Sequence, residues 1–553
     1  MSELVVEDLS VKYPGSEASA LSGVNFTLPR GGFMLLLGRS GSGKSTLAKA
    51  ITGVIPHIEA AHVEGRVEVF GVDPRKLEVF HVPRVAAYVA QSPYDQVISG
   101  TVKDEVVFTL ENAGFKGDLD AEALKVLEQV GLEDLGEAKV EELSGGQLQK
   151  LAIACALAVG SELIVLDEPL AHLDPRSAGE LVKLLGRLKR EGRTIILVEH
   201  RLRDLVEHCH LVDKVVLLDN GRLVDCFPGC LIHEKVPLLV ELGIRVPANF
   251  KASLHLKVGL KGPSDVEPLA MILKSVAPTS MEGSELGSDV VELSDVWVSY
   301  TGENYVLRNV NLAFKEGLVY AVMGPNASGK TTLLLTIMGL LKPRRGVVKV
   351  AGRRVRGLKD LVGVVGYVPQ NPDLILMFES VEDELAERSK KAGGKVDLVK
   401  LARELRIDGL LDRNPHSLSR GQRFRVALAA SLASSPRVLL LDEPTTGQDE
   451  ECIAALGEAL RSFVEEGGLA VVTTHDVDFA SNYADRCVVL CDGVVRAEGP
   501  SLDVLSRDDV VLSCGLTKPL VVKVTSNLKL PPISERLLFS RLEVEVYEAE
   551  PRR

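Results

Sequence analysis

No long apolar run occurs in this chain of 553 residues. The longest, about Leu151 to Val159, is far short of the roughly 18 residues a membrane-spanning helix needs. If the protein serves a membrane, other chains must supply the spans. An excess of positive charge is also missing: Lys and Arg number 64 against 77 Asp and Glu, a net charge of -13. That balance argues against broad contact with nucleic-acid phosphates, and it leaves room for a local basic patch. The opening Met-Ser-Glu-Leu-Val-Val-Glu lacks the basic start and apolar stretch of a secretory leader. The 8 cysteines are scattered, so a reducing cytoplasmic compartment is the simplest expectation. Cys226 with Cys230 and Cys487 with Cys491 form two close pairs, too few for an iron–sulfur cluster and read as core thiols. His208-Cys209-His210 is an equally weak metal signal. Set against these absences, 46% hydrophobic and 25% charged residues is ordinary globular composition, and the length demands two or more cores.

The chain repeats itself. GRSGSGKST from Gly38 returns as GPNASGKTT from Gly324, LSGGQ from Leu143 as LSRGQ from Leu418, and LIVLDEP from Leu163 as VLLLDEP from Val438. VEH ending at His200 returns as TTH ending at His475. Ser144 and Ser419, Asp167 and Asp442, and His200 and His475 are each 275 positions apart. Gly38 and Gly324 are 286 apart, and Gln91 and Gln370 are 279 apart, so the copies differ in length between the glycine loop and LSGGQ and keep one register from LSGGQ to the histidine. A later echo, LVELGIRVP ending at Pro247 and LSCGLTKP ending at Pro519, gives each copy a C-terminal appendage. The expected division is a first domain over 1–235, an appendage and linker over 236–288, a second domain over 289–505 and an appendage over 506–553. The Ser-, Gly- and Glu-rich stretch from Ala277 to Ser288 reads as the linker. Near the end, LEVEVYEAE alternates as an edge strand would.

Each copy opens on a half-alternating run, VVEDLSVKY or VVELSDVWVSY, that suits an antiparallel strand. Short apolar strands follow at Phe33–Leu37, Leu163–Leu166, Thr194–Val198 and Val215–Leu218, separated by helical stretches. That alternation implies a mostly parallel sheet flanked by helices, an α/β fold. Thr101 to Gly160 reads as a mainly helical insert.

Gly38–Ser45 and Gly324–Thr331 fit G-x-x-x-x-G-K-[ST], each between an apolar strand and a helix. Glycines let backbone amides turn inward around phosphate oxygens, and the helix N-terminus adds its positive end. The candidate cradle is Gly38, Arg39, Ser40, Gly41, Ser42, Gly43, Lys44, Ser45 and Thr46 in the first copy. In the second it is Gly324, Pro325, Asn326, Ala327, Ser328, Gly329, Lys330, Thr331 and Thr332. Lys44 and Lys330 would reach β- and γ-phosphates; Ser45 and Thr331 would offer hydroxyls to Mg²⁺. Each copy also ends an apolar strand on two carboxylates, Asp167-Glu168 and Asp442-Glu443. The first acid suits Mg²⁺, and the second suits a general base that polarises attacking water. A solvated strand end is the plain alternative. It is disfavoured by the constant 23-residue spacing of Asp167 from Ser144 and of Asp442 from Ser419. His200 and His475 each stand 32 residues past the candidate base, either as structural histidines or as γ-phosphate contacts. Gln91 and Gln370, in YVAQSP and YVPQNP, are polar loop residues or ligands of the metal's water shell. Tyr13 and Tyr300 are strand-end aromatics or platforms for adenine.

Together these motifs resemble the ATP-binding-cassette (ABC) family over nearly all of both repeats. LSGGQ and LSRGQ resemble its signature sequence, which separates it from other phosphate-loop NTPases. The resemblance implies two tandem P-loop NTPase domains, each a mostly parallel sheet core with an antiparallel β subdomain and a helical subdomain. It implies that ATP lies between the phosphate loop of one cassette and the signature of the other. Site one would join Tyr13, Lys44, Ser45, Gln91, Asp167, Glu168 and His200 to Ser419, Arg420, Gly421 and Gln422. Site two would join Tyr300, Lys330, Thr331, Gln370, Asp442, Glu443 and His475 to Ser144, Gly145, Gly146 and Gln147. Glu168, Glu443, His200 and His475 take the catalytic roles in this reading. Mg²⁺ falls to Ser45, Gln91 and Asp167 in one site and to Thr331, Gln370 and Asp442 in the other. Both glutamates are kept, so both sites are expected to hydrolyse ATP. Arg420 replaces a signature glycine, and AHLD to Asp174 and TGQD to Asp449 depart from the family's small-residue loop at His172 and Gln448.

Within the family the chain looks most like the fused ATPase of energy-coupling factor importers, which carry vitamins, their precursors, Ni²⁺ or Co²⁺. QSPYDQVISGTVKDEVVFTLEN from Gln91 carries that likeness, and QNPDLILMFESVEDEL from Gln370 is a looser match. The resemblance implies a transmembrane coupling protein and a substrate-binding membrane subunit as partners, peripheral attachment to the cytoplasmic face of the membrane, and grooves after Gln91 and Gln370 for coupling helices. Pairing of the cassettes within one chain or between chains stays open. The alternatives are the ATPase of a peptide or sugar importer and a soluble twin-cassette protein acting on ribosomes or DNA. The acidic charge and the lack of a basic insert argue against the last, and no nucleic-acid partner is expected.

Overall fold

The computed structural model describes residues 3–16, 18–171, 173–200, 202–203, 205–276, 287–394 and 396–549, with residues 543–549 by backbone alone. The chain forms two compact units, Met1–Asp265 and Val266–Arg553. Their boundary falls inside the segment 236–288, and residues 277–286 of the expected linker lie outside the described residues.

In the first unit the strands are β1 (Glu3–Lys12), β2 (Leu21–Pro29), β3 (Phe33–Leu37), β4 (His62–Val69), β5 (Ala86–Val89), β6 (Leu163–Asp167), β7 (Thr194–Glu199), β8 (Lys214–Asp219) and β9 (Arg222–Phe227). They make a six-stranded sheet ordered β5-β6-β7-β3-β8-β9, parallel except for β9, and an antiparallel sheet ordered β2-β1-β4. The second unit repeats this with β10 (Asp289–Val298), β11 (Leu307–Lys315), β12 (Val319–Met323), β13 (Arg345–Val350), β14 (Arg353–Arg354), β15 (Val365–Val368), β16 (Val438–Asp442), β17 (Leu469–Thr473), β18 (Arg486–Cys491) and β19 (Val494–Pro500). Its sheets run β15-β16-β17-β12-β18-β19 and β11-β10-β13-β14. The parallel strands are covered on both faces. FMLLL and VLLLD are therefore buried at every position and read as unbroken apolar runs, whereas β1 alternates buried and exposed residues. Buried apolar area of this kind, at about 25 cal/mol per Å², is the main force holding each sheet under its helices.

The helical insert of the first unit consists of Val102–Asn112, Leu119–Val130 and Gly145–Ala158. Thr101, Asp118 and Ser144 cap their starts by accepting the backbone N–H three residues on. Residues 542–549 of the expected edge strand LEVEVYEAE are instead part of a helix over Glu535–Ala549, and Glu550 lies outside the described residues. Ser534 Oγ accepts the N–H of Leu537, and Leu538 and Leu542 are buried four residues apart, so helical spacing overrides the alternation. The reading of the pairs Cys226–Cys230 and Cys487–Cys491 as core thiols holds for Cys487, which is free and buried, and is corrected for the other three. Cys491, at the end of β18, is joined to Cys514 of the appendage, a separation of 23 residues. Cys226 and Cys230 are free and exposed. Among the described residues no helix is long and apolar enough to cross a membrane.

Candidate functional site

The phosphate loops leave the C-terminal ends of β3 and β12, where a parallel sheet places its ligands. Close packing dictates glycine at their first position. A Cβ on Gly38 would stand 2.4 Å from the Leu218 carbonyl oxygen, and one on Gly324 would stand 2.0 Å from that of Leu490. Gly43 and Gly329 cap the following helices, Lys44–Ile51 and Lys330–Ile337, at φ 100° and 101°. The hairpin turn after β8 braces the first loop, because the Gly221 N–H donates to Ser42 O. Gly493 N–H does the same for Ser328 O in the second unit. Lys44 Nζ donates to the carbonyls of Gly38 and Arg39, at 2.8 and 2.9 Å, and Lys330 Nζ donates to those of Gly324 and Pro325, both at 3.0 Å. Arg39 pairs with Asp219 at 2.8 Å on the loop's outer side. Ala327, in the place of Gly41, keeps the left-handed backbone at φ 61°.

Each strand-end acid pair lies beside its own loop. Asp167 and Asp442 are buried. Burial pushes the Asp167 carboxyl above its ordinary range, Glu168 adds to the rise, and the Tyr88 hydroxyl opposes it. For Asp442 burial again dominates and the Thr473 hydroxyl opposes it. Thr331 Oγ1 donates to Asp442 Oδ1 at 3.1 Å, which ties the second phosphate loop to its acid. Glu168 and Glu443 both take φ 48°, a left-handed backbone costing roughly 1–3 kcal/mol and typical of residues that must face a site. Their N–H groups donate to the carbonyls of Val198 and Thr473 on the neighbouring strand, which keeps them there.

Around the glutamates the units diverge. Gln91 Nε2 donates to Glu168 Oε2 at 2.9 Å, while His200 Nδ1 stands 3.5 Å from Glu168 Oε1. In the second unit His475 Nδ1 is 2.9 Å from Glu443 Oε2 and Lys330 Nζ is 3.6 Å from Oε1. Burial opposes ionisation of Glu443, but His475 and Lys330 outweigh it and hold the carboxyl down at about 2. Gln370 is exposed at the matching strand end. The Tyr13 hydroxyl lies 3.3 Å from Thr46 Oγ1, and that of Tyr300, which is 56% exposed, lies 3.1 Å from Thr332 Oγ1. Both tyrosines thus stand next to the first turn after the phosphate loop.

Ser144 and Ser419 are the N-caps of Gly145–Ala158 and Arg420–Ala433. In both, the serine accepts from the glutamine N–H and the glutamine side chain, Gln147 or Gln422, accepts from the serine N–H. The signature is therefore a capping box that leaves the first-turn amides of Gly145, Gly146, Arg420 and Gly421 directed out of the helix. A Cβ on Gly146 would crowd Ser177 at 3.0 Å and one on Gly421 would crowd Gln448 at 3.0 Å, so the second glycine lets the signature helix approach its neighbour. Arg420 begins its helix half-buried. His172 lies outside the described residues.

The structure brings the phosphate loop, the acid pair and the histidine together within each unit, and in the first unit it adds Gln91. It also shows residues that the motifs do not mark. Tyr88 donates to Asp167 and Thr473 to Asp442. Each is a strand residue inside YVAQ or TTH whose partner lies across the sheet, where spacing carries no signal. Beyond Gln91 a mainly apolar cleft of about 730 Å³ opens between the core and the helical insert, lined by Phe80, Val97, Ile98, Phe108 and Ala152 among others. Ile58 and Ile98 on its rim are each 76% exposed. Glu105 Oε2 fixes the rim by accepting the N–H groups of Ile98 and Ser99, as Glu384 Oε2 does for Met377 and Phe378.

The ABC transporter family model matches residues 21–171 and 307–446. A putative ABC transporter ATP-binding protein of Methanosarcina acetivorans is 32% identical over 96% of this chain and 89% of its own length. The putative HMP/thiamine import ATP-binding protein YkoD of Bacillus subtilis is 33% identical over 94% of this chain and 95% of its own length. Among solved structures, a model of ribosome-bound archaeal Pelota and ABCE1 aligns with 91% of this chain and 80% of the matched chain. Its TM-score is 0.62 at 22% identity, a likeness of fold. Two matched segments in one chain, each with its own phosphate loop, acid pair and signature helix, place this protein in the ABC transporter ATP-binding family, as an ATPase with two cassettes.

Proposed function

We propose that the chain is the motor subunit of a membrane importer of the energy-coupling factor type, with two ATP sites shared between its cassettes. Residues 1–235 and 289–505 would form the cassettes, with 236–288 and 506–553 as their appendages. The observation that carries the reading is the apolar cleft after Gln91. A partner helix seated there would press on the segment whose first residue, Gln91, holds Glu168. That is a direct path from a docked membrane subunit to the hydrolytic carboxylate. The name of the Bacillus subtilis relative, an HMP/thiamine import protein, agrees with this transport class. A partner with transmembrane helices would bring the chain to the cytoplasmic face of the membrane.

In each site the loop amides and Lys44 or Lys330 would hold the phosphates, and the signature amides of the opposite cassette would complete the cradle. Glu168 and Glu443 would accept the proton of the attacking water, oriented by His200 and His475. The residues present suit Mg²⁺. Asp167 Oδ1 is buried with no hydrogen-bond partner among the described residues, and Ser45, Gln91, Asp167 and their counterparts Thr331, Gln370 and Asp442 are hard oxygen donors. When bound, the ion supplies neutralisation of phosphate charge. ATP would favour the closed pair of cassettes, and its hydrolysis would release them.

Two measurements test the reading. Glu168→Gln with Glu443→Gln should keep ATP bound and cut turnover at least about 100-fold, the usual worth of a general base. Wild-type turnover in that variant would remove the glutamates from this role. Purified from native membranes, the chain should bring a transmembrane coupling protein with it, and recovery with ribosomal subunits would overturn the transport assignment.

A further inference from the structure

The two strand-end aspartates occupy the same place in their sheets and are held from opposite sides. Asp167 pairs in register with Val198 on β7, and Asp442 pairs with Thr473 on β17. Valine cannot donate a hydrogen bond. In the first cassette the hydroxyl comes instead from β5, where Tyr88 OH donates to Asp167 Oδ2 at 2.8 Å. In the second it comes from β17, where Thr473 Oγ1, fully buried, donates to Asp442 Oδ1 at 2.6 Å. Tyr367 keeps the aromatic in the place of Tyr88, but the short bond to Asp442 is made by the threonine.

A hydroxyl on one carboxylate oxygen fixes the rotamer and directs the other oxygen. The consequence is visible in the first cassette, where Oδ2 is taken by Tyr88 and Oδ1 is buried without a hydrogen-bond partner among the described residues. In the second cassette Oδ1 accepts both Thr473 and Thr331, which leaves Oδ2 as the differing oxygen. A group that orients a metal ligand through a hydrogen bond commonly changes metal affinity 10- to 100-fold when removed, by general experience of about that size.

We propose that Tyr88 and Thr473 are positioning residues, one for each cassette, that aim Asp167 and Asp442 at the divalent cation of the bound nucleotide. The two sites therefore depend on hydroxyls from different strands. This inference rests on the reading of the two aspartates as metal ligands.

The test uses the full chain with a non-hydrolysable ATP analogue and Mn²⁺ followed by electron paramagnetic resonance, alongside metal-free nucleotide binding and thermal unfolding. Tyr88→Phe should weaken one of the two Mn²⁺ sites about 10-fold, and Thr473→Val the other. Metal-free nucleotide binding should stay as in the wild type. Thr473→Ser, which keeps the hydroxyl, should retain affinity. Val198→Thr added to Tyr88→Phe should restore it by supplying the donor from β7. If Tyr88→Phe and Thr473→Val leave both Mn²⁺ affinities intact while Asp167→Asn and Asp442→Asn each abolish one site, the inference fails and the ligand reading stands. If the two Asn variants also leave both sites intact, the ligand reading itself fails. A loss in Tyr88→Phe that Val198→Thr does not rescue, together with a lowered unfolding temperature, would show a packing role and overturn the proposal.

Discussion

In the first cassette the candidate base is held by an amide; in the second it is held by an imidazole. Glu168 takes a 2.9 Å bond from Gln91 and keeps His200 at 3.5 Å, whereas Glu443 meets His475 at 2.9 Å and has Lys330 at 3.6 Å. Both glutamates take the same backbone conformation just past the ends of equivalent strands, β6 and β16, so the difference arises in what surrounds them. VEH places Glu199, fully buried, before its histidine, where TTH places Thr474. The Leu170 N–H is taken by Glu199 Oε1, whereas the Thr474 hydroxyl faces that of Thr445. The histidines are thus braced by different neighbours. Two copies of one motif set have kept their covalent order and have redistributed their hydrogen bonds. The same redistribution recurs in the aspartates. It recurs again in the appendages, where the first is paired by backbone to the segment beside His200 through Arg245, and the second is joined by a disulfide to β18.

The largest expected difference in stability between the cassettes lies at that disulfide. Closing a loop of 23 residues between Cys491 and Cys514 should contribute about 3 kcal/mol, so Cys514→Ser or a reductant should lower the unfolding transition of the second cassette by several degrees. Differential scanning calorimetry should show the first cassette's transition unmoved; a shift of both together would mean that the bond does not act locally. Next in size are the histidines. A hydrogen bond to a charged group is worth roughly 1.5–3 kcal/mol, so His475→Ala should cost its site about 10- to 100-fold in turnover. His200→Ala, which removes no such short bond, should cost less. Steady-state ATPase rates with the opposite site silenced would decide, and equal losses would erase the distinction.

The smallest expected effect is on acid stability. Glu443 titrates at about 2 in the folded chain against an ordinary value of 4.5. A depressed carboxyl contributes stability that is complete above the unfolded value and is lost as the pH falls toward the folded one. The stability gap between the wild type and Glu443→Gln should therefore narrow as the pH drops from about 5 to about 3. A gap that is flat over that window would show that His475 and Lys330 do not hold the carboxylate as the geometry indicates.

The parts of the site that were legible are those built from near neighbours in the chain. Ser144 and Gln147 cap one helix from three residues apart, and Gly43, Lys44 and Ser45 make one turn. FMLLL and LIVLD had to be covered on both faces, so the parallel core could be read from them directly. A partner that comes from elsewhere in the chain leaves no such local trace. Tyr88 and Asp167 are 79 residues apart, and Thr473 and Asp442 are 31 apart. At the C-terminus, alternation over LEVEVYEAE suggested a strand, but burial of Leu538 and Leu542 on one side made a helix.

The amino-acid order by itself determined that there are two cassettes, where each phosphate loop and signature helix begins, and which acids end the core strands. Turns, caps and strand burial depend on a few adjacent residues and on how much apolar surface must leave water, and both are written along the chain. Only the tertiary structure decided which hydroxyl, amide or imidazole reaches each carboxylate. A hydrogen bond depends on tenths of an ångström between residues that the sheet brings side by side, and a single change such as Val198 for Thr473 on the adjoining strand hands the contact to a different partner.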